Sequence, residues 1–586
     1  MNTESIDTIF SEAVTQYQNG NLSGAEKDLR AIIRQAPETA EAHHLLGIMA
    51  LAQKRLQSAR DAFEQAACCS PGTAKYIYNY GVVLQRLGET DGAVQAYERT
   101  LAIDPDYPGA RNNLGVALRD TMQFARAEYH LKKALAAGGD SSHVWNNLGS
   151  VLRDQGRIAS AIDAYRKASI CDGPNAVAGS NLLLCLHYLP TVDVEAIFDA
   201  HRQWAGTHCP DDSPVFKETL PVVNHRRLRI GYVSADFITH SVSFFLKPIV
   251  QNHDRELFDV YCYHTGGKKD ATTAWFQQLP VVWRDIHGLS DPDAARQIRK
   301  DGVDILIDCS GHTDGNRLKM FALKPAPLQI TYLGYPDTTG LSAMDFRLTD
   351  AWADPTEAPT PASETLIRVP DGFLCYTPPS AAPQVGELPA VKNGYITFGS
   401  FNTVPKLNSH VLDVWGRLLQ RIPTAKLLLK ARQFYDESVS KYYLERFRKR
   451  GVSGERIEII GPTSGVEAHF RWYNRVDVAL DPFPYNGTTS TYDALYMGVP
   501  VISLKGYAHA GRVGHSILAR MGLSQLVADA DDRYIAMAEF LSENLDLLTR
   551  LRGSLRDTAI AQNNGRDFTR RMERVLLRLW HDRFPP

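Results

Sequence analysis

The sequence has no paired cysteines, no long apolar run and no excess of charge of either sign. None of its eight cysteines forms a Cys-x-x-Cys pair, so neither a disulfide scaffold nor a zinc framework is expected. No segment approaches the roughly 18 consecutive apolar residues that a membrane-spanning helix needs. Lys and Arg number 64 against 66 Asp and Glu, and the net charge of −2 argues against a dominant role in binding nucleic acid or an anionic membrane.

The composition of the chain is that of an ordinary globular protein. Residues 1–10 are polar and acidic, without the basic and apolar regions of a secretory signal, so the reduced cytoplasm is the expected location. At 586 residues the chain is long enough for several domains. A hydrophobic fraction of 44% and a charged fraction of 22% predict folded domains rather than disorder.

A period of 34 residues runs through the first third of the sequence. Small residues at fixed points let two antiparallel helices approach closely, a large residue fills the gap, and Pro or Gly ends each pair. This is the tetratricopeptide pattern, here with five units and a degenerate sixth near residues 178–189. The residues that share the period are Gly47, Gly81, Gly115 and Gly149, with Ala13 one repeat earlier; Ala25, Ala59, Ala93, Ala127 and Ala161; Leu29, Phe63, Tyr97, Leu131 and Tyr165; and Pro37, Pro71, Pro105, Gly139 and Gly173.

A column of asparagines has the same period: Asn79, Asn113, Asn147 and Asn181. Asparagine inside a helix is mildly unfavourable, so its repetition needs a reason. One interpretation is a row of side-chain amides on the concave face, which hydrogen-bonds the backbone of an extended polypeptide with little regard to its sequence. The other is a repeat consensus in which each asparagine bonds to its neighbouring repeat.

After residue 226 short apolar runs alternate with amphipathic stretches, and a proline-rich passage at 377–389 divides them into two sets. Such alternation predicts two doubly wound, mostly parallel α/β lobes, with ligands bound between them at the carboxyl ends of the strands. The predicted strands are Leu228–Ser234, Phe258–His264, 281–286, 303–309, 328–333 and Phe346–Thr349 in the first set, and 395–400, 425–430, 456–460, 476–480 and 500–504 in the second.

These patterns predict a helical repeat solenoid followed by an α/β module of two Rossmann-like lobes. We place the repeat superhelix at 1–190, a helical connector at 191–226, the first lobe at 227–385, the second lobe at 390–566 and a C-terminal helix that packs back on the lobes at 567–586.

The second lobe carries the sharper candidate site. A turn-rich loop at 481–487 leads into Thr488, Thr489 and Ser490 at the start of a predicted helix, with Asp493 in its first turn. One interpretation is a capping box formed by Ser490 and Asp493. The other is a diphosphate bound by the free N–H groups of the helix, with Asp493 accepting ribose hydroxyls.

Two further residues of the second lobe could serve the same ligand. Lys406 follows the first strand of the lobe and could offer charge to a phosphate, although a solvated lysine is the commoner outcome. His469 could contact a base or a phosphate, or it could be an ordinary core or surface histidine.

Three loops at predicted strand ends are the candidates in the first lobe. His240 follows the segment 231–237 and either acts as a neutral proton acceptor at a helix N-terminus or caps that helix. The other two loops are 310–313, which includes Thr313, and 337–340, which ends in Gly340. An Asp-x-Asp triplet at 529–531 lies in a polar helical context, and no metal role is expected for it.

Taken together, these segments resemble the protein O-linked N-acetylglucosamine transferases of glycosyltransferase family 41, and the match covers nearly the whole chain. It rests on Gly-Tyr-Val-Ser-Ala-Asp-Phe at 231–237 with His240, on 317–327 leading into Leu-Gly-Tyr-Pro at 333–336, on Phe-Asn at 401–402 with Lys406, and on Asn-Gly-Thr-Thr at 486–489.

The resemblance implies a fold of the GT-B type and transfer of N-acetylglucosamine from UDP-GlcNAc to Ser or Thr of proteins, with inversion. The UDP-sugar would be a co-substrate; no cofactor or metal is expected, protein acceptors would enter through the repeat groove, and a homodimer is left open. Lys406 would neutralise the departing diphosphate, Thr488, Thr489 and Ser490 would hold the phosphates, and Asp493 the ribose. Ser464 and His469 would line the nucleotide pocket, Thr313 and Gly340 would approach the sugar, and His240 would lie near the acceptor hydroxyl.

The donor sugar is less firmly implied than the reaction. Animal enzymes of this type have Gln and His where Thr403 and Thr488 stand. The segments 398–402, 481–485 and 495–500 are at least as similar to the SPINDLY-type O-fucosyltransferases, which share the architecture but use GDP-fucose. Transfer of another sugar, transfer to an Asn amide, and a repeat scaffold without turnover are the remaining alternatives.

Overall fold

The structure is a computed structural model that describes residues 5–138, 141–191, 193–210 and 227–585. The chain divides into two compact units, residues 1–152 and residues 153–586. The predicted terminator Gly139 and the stretch 211–226 of the predicted connector lie outside the described residues. Within the described ranges, no helix combines the length and the apolar character needed to cross a bilayer.

The first unit consists of antiparallel helix pairs with the predicted period. Its helices are α1 (Ile6–Gln18), α2 (Leu22–Gln35), α3 (Ala40–Ala52), α4 (Leu56–Cys69), α5 (Ala74–Leu87), α6 (Thr90–Ile103), α7 (Ala110–Asp120), α8 (Phe124–Ala136) and α9 (Ser142–Asp154).

At Gly47, Gly81 and Gly115 the glycine column brings the two helices of a repeat into contact. A Cβ atom added at Gly47 would lie 2.6 Å from the ring of Phe63. One added at Gly115 would lie 2.6 Å from Leu131, which is fully buried. Close-packed interiors do not tolerate such approaches, so the small residue of one helix and the large residue of the next determine each other.

The asparagine column bonds from one repeat to the one before it. The side-chain amide of Asn113 donates to the Tyr78 hydroxyl at 3.0 Å. Asn147 donates in the same way to Asn112 at 2.9 Å, and the Asn79 amide lies 2.7 Å from a ring nitrogen of His44. Inter-repeat bonding therefore accounts for the amide nitrogens of these three residues.

The second unit opens with three more helices, α10 (Ile158–Ile170), α11 (Ala176–Leu186) and α12 (Val194–His208). Gly179 of α11 repeats the small-to-large contact of the earlier units, because a Cβ atom there would lie 2.5 Å from the Trp204 ring of α12. The degenerate sixth unit thus also places a glycine of one helix against a large ring of the next, although Leu183 and not glycine occupies its position in the glycine column.

Two parallel sheets follow. Their strands are β1 (Leu228–Ser234), β2 (Phe258–His264), β3 (Val282–Asp285), β4 (Ile305–Asp308), β5 (Leu328–Thr331), β6 (Phe346–Thr349) and β7 (Thr365–Arg368) in the first lobe, and β8 (Thr397–Ser400), β9 (Lys426–Lys430), β10 (Ile457–Ile460), β11 (Val478–Leu480), β12 (Val501–Leu504) and β13 (Val527–Ala528) in the second.

The helices around these sheets are α13 (Ser241–Asn252), α14 (Ala271–Gln277), α15 (Asp291–Asp301), α16 (Leu318–Ala322), α17 (Pro389–Asn393), α18 (Ser409–Arg421), α19 (Glu437–Arg448), α20 (Val466–Arg471), α21 (Thr489–Tyr496), α22 (Val513–Arg520), α23 (Asp531–Glu543), α24 (Leu545–Gln562) and α25 (Gly565–Arg583).

The strand orders are those of doubly wound sheets. The first sheet runs β3-β2-β1-β4-β5-β6-β7 and the second β10-β9-β8-β11-β12-β13. The order reverses between β1 and β4 and again between β8 and β11, and ligands of such sheets bind where the strand order reverses. The loops that follow β1, β4, β8 and β11 carry most of the candidate residues.

The last helix, α25, packs on α13 of the first lobe. The Thr569 hydroxyl donates to the Pro248 carbonyl at 3.1 Å. The Glu573 carboxylate accepts from the backbone N–H of Asp254 at 2.7 Å and lies 3.0 Å from a ring nitrogen of His253. These bonds attach the end of the chain to the helix that His240 precedes.

Candidate functional site

Lys406 ends a short 3₁₀ turn, Val404–Lys406, that follows β8. The buried Tyr443 hydroxyl lies 3.2 Å from the Val404 carbonyl and so holds this turn. The Lys406 ammonium donates to the Asn486 carbonyl at 2.6 Å. Although part of the side chain is exposed, the ammonium has packed surroundings, and burial lowers the pKa of Lys406 to about 8 while Asp481 opposes the shift.

Asp481 ties the far end of the loop after β11 to the strand end and to the neighbouring strand β12. Its carboxylate accepts from the Gly487 N–H at 2.6 Å and from the Ser503 hydroxyl at 2.7 Å. Burial raises the pKa of Asp481 to about 7. Asn486 adds a further attachment, because its side chain accepts from the Gly514 N–H at 3.2 Å. The carbonyl that binds Lys406 is thereby fixed in place.

The capping box predicted for α21 is wrong. The helix begins at Thr489, its N-cap is Thr488, and no side chain caps it. Ser490 instead donates to the side-chain oxygen of Asn402 at 2.9 Å. The N–H groups in the first turn of a helix have no intrahelical partner, so the open end of α21 can accept an anion beside Lys406.

Asp493 faces the first lobe rather than the start of its own helix. Its carboxylate accepts a hydrogen bond from the Tyr376 hydroxyl, and the Tyr376 ring stacks on Tyr492 with centroids 5.1 Å apart. Burial raises the pKa of Asp493 to about 7. The residue thus lies where the two lobes meet.

A pocket with a cavity volume of about 50 Å³ opens between the lobes. Residues 331–336 and Arg347 line it from the first lobe, and Tyr485, Thr488 and His509 line it from the second. Thr488 therefore lines the same pocket as the loop 333–336. Both belong to the motifs on which the family resemblance rests.

His469 is positioned by a lysine that the sequence analysis missed. The ammonium of Lys430, at the end of β9, lies 3.0 Å from Nδ1 of His469. Burial and the charge of Lys430 lower the pKa of His469 to about 4. Because an ammonium can only donate, Nδ1 must accept, and the ring proton is left on Nε2. Ser464 lies in the exposed loop that precedes α20.

Replacing Lys430 with methionine is expected to raise the pKa of His469, because the variant removes the neighbouring positive charge and keeps the side chain long. The measurement is an NMR titration of the His469 ring. Lys426→Met, at the exposed start of the same strand, is the control and should leave the pKa where it was. A His469 pKa that is equal in both variants would contradict the assignment.

His240 is the N-cap of α13, as the structural interpretation of the sequence proposed. Its Nδ1 lies 3.3 Å from a carboxylate oxygen of Asp236, and 47% of its side chain is exposed. In this cap Nδ1 accepts from the N–H of Val242 at 3.4 Å, so it does not at the same time donate to Asp236. If the ring gave up the cap and Nδ1 donated to an ionised Asp236, Nε2 would be free to receive a proton, as in a general-base pair. Burial raises the pKa of Asp236, whereas the neighbouring His240 lowers it.

Helix α13 also reaches the second lobe. The Phe245 ring, one turn after His240, lies 5.6 Å from the rings of both Tyr376 and Tyr492. The N-terminal ends of α13 and α21 therefore belong to elements in direct contact.

The Asp308 side chain holds the loop 310–313 by hydrogen bonds to its backbone. That buried carboxylate accepts from the N–H groups of Ser310 at 3.1 Å and Gly311 at 2.9 Å. His312 is buried, with its ring nitrogens 2.9 Å from the Ser180 hydroxyl and 3.0 Å from a backbone carbonyl. Thr313 is half-buried, and its hydroxyl donates back to the Ser310 carbonyl at 2.7 Å.

Gly340 packs against α12. A Cβ atom there would lie 2.5 Å from the His201 carbonyl, and its φ of +75° is a conformation that favours glycine. Packing and the positive φ thus account for this glycine, and its predicted approach to the sugar stays a prediction.

Three buried groups beside this loop could hold a metal ion. Ligand atoms of His187, His201 and Asp337 lie within 4.8 Å of one another. The Tyr335 hydroxyl, however, already bonds to His201 at 2.8 Å, and the Arg347 guanidinium lies 4.0 Å from Asp337. This arrangement is that of a hydrogen-bonded cluster with its own cation.

Comparison with known proteins identifies the family of this site. The family model for glycosyl transferase family 41 matches residues 211–377 and 385–569. The chain belongs to glycosyltransferase family 41. Tetratricopeptide repeat models match 10–76 and 112–176, and a TPR repeat model matches 81–120. The predicted architecture, a tetratricopeptide solenoid followed by the two Rossmann-like lobes of the GT-B module, is confirmed.

Several family-41 relatives are similar to this chain over long stretches. A probable UDP-N-acetylglucosamine–peptide N-acetylglucosaminyltransferase SPINDLY from Hordeum vulgare is 39% identical over 410 residues, which are 69% of this chain and 43% of the relative. The UDP-N-acetylglucosamine–peptide N-acetylglucosaminyltransferase of Caenorhabditis elegans is 25% identical over 62% of this chain and 42% of its own. The matches thus span less than half the length of these curated relatives.

A solved structure extends the family-41 match to the repeats. The O-GlcNAc transferase of Thermobaculum terrenum, determined as a lysine-to-methionine variant, is 34% identical to this chain with a TM-score of 0.82. The similarity covers 87% of this chain and 98% of that one.

Proposed function

We propose that this protein is an inverting glycosyltransferase that moves N-acetylglucosamine from UDP-GlcNAc to serine or threonine hydroxyls of proteins. The observation that carries the proposal is the position of Lys406. Its ammonium is bonded at 2.6 Å to the loop that leads into the uncapped end of α21, beside a pocket shared by both lobes. A lysine ammonium next to the free N–H groups of a helix N-terminus can bind the negatively charged oxygens of a diphosphate.

The chemistry follows from that placement. The acceptor oxygen attacks the anomeric carbon as the bond to the phosphate oxygen breaks, and UDP leaves with the bonding electrons. Lys406 and the first-turn N–H groups of Thr489 and Ser490 stabilise the charge that develops on the diphosphate. His240 is the candidate to receive the hydroxyl proton, once its Nδ1 donates to Asp236 in place of accepting from Val242. The sugar would occupy the pocket between 331–336 and Thr488, near Thr313, while Asp493 accepts ribose hydroxyls and His469 donates from Nε2 to the nucleotide.

The donor can be tested by thermal unfolding of the full chain with UDP, GDP and their sugars. UDP and UDP-GlcNAc are expected to raise the midpoint, because a ligand at 100 times its Kd adds about 2.7 kcal/mol to the free energy of unfolding. Stabilisation by GDP and GDP-fucose alone would replace the proposed donor with the fucose alternative. No shift with either nucleotide, together with no mass added to acceptor peptides, would favour a scaffold without turnover.

We also propose that the asparagine column binds the acceptor polypeptide. Replacing Asn79, Asn113 and Asn147 with alanine is expected to reduce kcat/KM for long protein acceptors more than for short peptides. Tyr78→Phe is the matched control, since it removes the inter-repeat partner of Asn113 but keeps the amide. Equal losses on long and short acceptors, or an equal loss in the control, would assign the column to repeat packing alone.

A further inference from the structure

An aromatic pair lies against the ammonium of Lys406. The Lys406 Nζ atom is 4.1 Å from the centroid of the Tyr485 ring. The Tyr485 ring in turn stacks on Tyr188, with centroids 5.3 Å apart and planes inclined by 14°. Lysine, Tyr485 and Tyr188 therefore form a continuous line of contacts.

The two tyrosines come from distant parts of the chain. Tyr485 belongs to the loop between Asp481 and Gly487, whose two ends are joined by a hydrogen bond. Tyr188 follows α11, the first helix of the degenerate sixth repeat unit, and is buried at 7% exposure. The last repeat unit thus supplies a side chain to the support of the site.

The Tyr485 ring offsets the effect of burial on the charge of Lys406. Burial disfavours the charged form of Lys406, whereas the face of an aromatic ring favours it. The other groups that face the ammonium are the Asn486 carbonyl and the Asp481 carboxyl, which titrates in the same range. A lysine that must be charged to meet a diphosphate is thus held beside a ring that stabilises its charge.

We propose that Tyr485 and Tyr188 are positioning residues for Lys406, with Tyr485 holding the ammonium against its ring and Tyr188 holding Tyr485. This inference rests on the proposed function, since it takes Lys406 as the group that meets the leaving diphosphate. In this proposal the aromatic rings, and not the phenol hydroxyls, hold the Lys406 ammonium in place. It also makes the last repeat unit a part of the catalytic support, independent of any role in binding acceptors.

The test compares leucine and phenylalanine at each position. The measurement is the pH profile of kcat/KM for the donor, with a short peptide acceptor, because this ratio reports the titration of the free enzyme. Lys406 must be protonated, so activity is present below its pKa and is lost as the pH rises through it. Tyr485→Leu and Tyr188→Leu are expected to move this alkaline limb to lower pH, by about 0.4–1.5 units for Tyr485→Leu.

The phenylalanine variants separate positioning from packing. Tyr485→Phe and Tyr188→Phe keep the rings, so their alkaline limbs should coincide with that of the wild type whatever their absolute rates. A general packing defect would lower activity at every pH without moving the limb. Leucine variants with an unmoved limb, or phenylalanine variants that shift as far as the leucine ones, would overturn the proposal.

A direct titration keeps this inference separate from the proposed function. The pKa of Lys406 can be followed by NMR of labelled lysines in the full-length protein, with the resonance assigned through Lys406→Met. A lower pKa in Tyr485→Leu than in Tyr485→Phe supports the aromatic pair even if no donor is turned over. Equal values in the two variants would reject the pair even if the transferase activity is confirmed.

Discussion

Replacing Lys406 with alanine is expected to lower kcat by at least about 100- to 1,000-fold, the usual cost of removing one preorganised group that stabilises transition-state charge. The reason is local, since the ammonium is the cation bonded to the carbonyl that precedes the uncapped end of α21. Without it, the developing charge of the diphosphate is met by backbone N–H groups alone. The measurement is the rate at which labelled sugar enters a peptide acceptor.

The control for this variant is Lys441→Ala in the same lobe. Lys441 is exposed and pairs with Glu437 at 2.9 Å on the surface of α19, so its loss should leave the rate unchanged. Circular dichroism and the unfolding midpoint show whether the Lys406 variant remains folded. A folded Lys406→Ala protein with near-normal turnover would remove the leaving-group role.

Replacing Asp493 with alanine is expected to raise KM for the donor by roughly 10- to 150-fold, the range for hydrogen bonds to a charged group. The carboxylate is the proposed acceptor for the ribose hydroxyls, and it is buried where the lobes meet. Its pKa is raised to about 7, so it loses its charge as the pH falls through that value. Donor KM in the wild type should therefore rise below pH 7, and this rise should be absent in Asp493→Ala.

Asp493 also accepts from Tyr376, so a structural contribution needs its own control. Tyr376→Phe removes the hydroxyl but keeps the ring that stacks on Tyr492. The change in donor KM should be much smaller in this variant than in Asp493→Ala. Equal KM values in the two variants would mean that Asp493 serves the contact between the lobes and not the nucleotide.

The fold was largely predictable because its signals are periodic. The columns that include Gly115 and Leu131 both have a period of 34 residues, and Gly115 and Leu131 prove to be in contact across two helices. The strands β1, β2 and β6 have their predicted bounds because they are apolar runs with clear ends. The strands β7 and β13 were missed, since one is half-exposed with charged neighbours and the other is two residues long.

The site was predictable by position but not by partner. The sequence shows that Lys406 and Thr488 each follow a predicted strand of the second lobe. In a parallel sheet, the loops that follow the strands lie at the same edge, where the carboxyl ends of the strands meet. What a side chain bonds to depends on tertiary contacts with no fixed spacing. Ser490 and Asp493 have the spacing of a capping box, yet their partners are Asn402 and Tyr376 from other segments.

Residues that act through others were missed for the same reason. Lys430 is separated by 39 residues from His469, and Tyr188 by almost 300 from Tyr485. Neither pair belongs to a local motif. Asp236 was the exception that could have been found, because it lies four residues before His240 at the end of a buried strand.

The most direct test of the account is a crystal structure of the full chain with UDP. We predict the diphosphate at the N-terminus of α21, with oxygens about 3 Å from the Lys406 ammonium and from the N–H groups of Thr489 and Ser490. The ribose should then lie against Asp493. A diphosphate bound elsewhere, with Lys406 still bonded only to the Asn486 carbonyl, would contradict the proposed site.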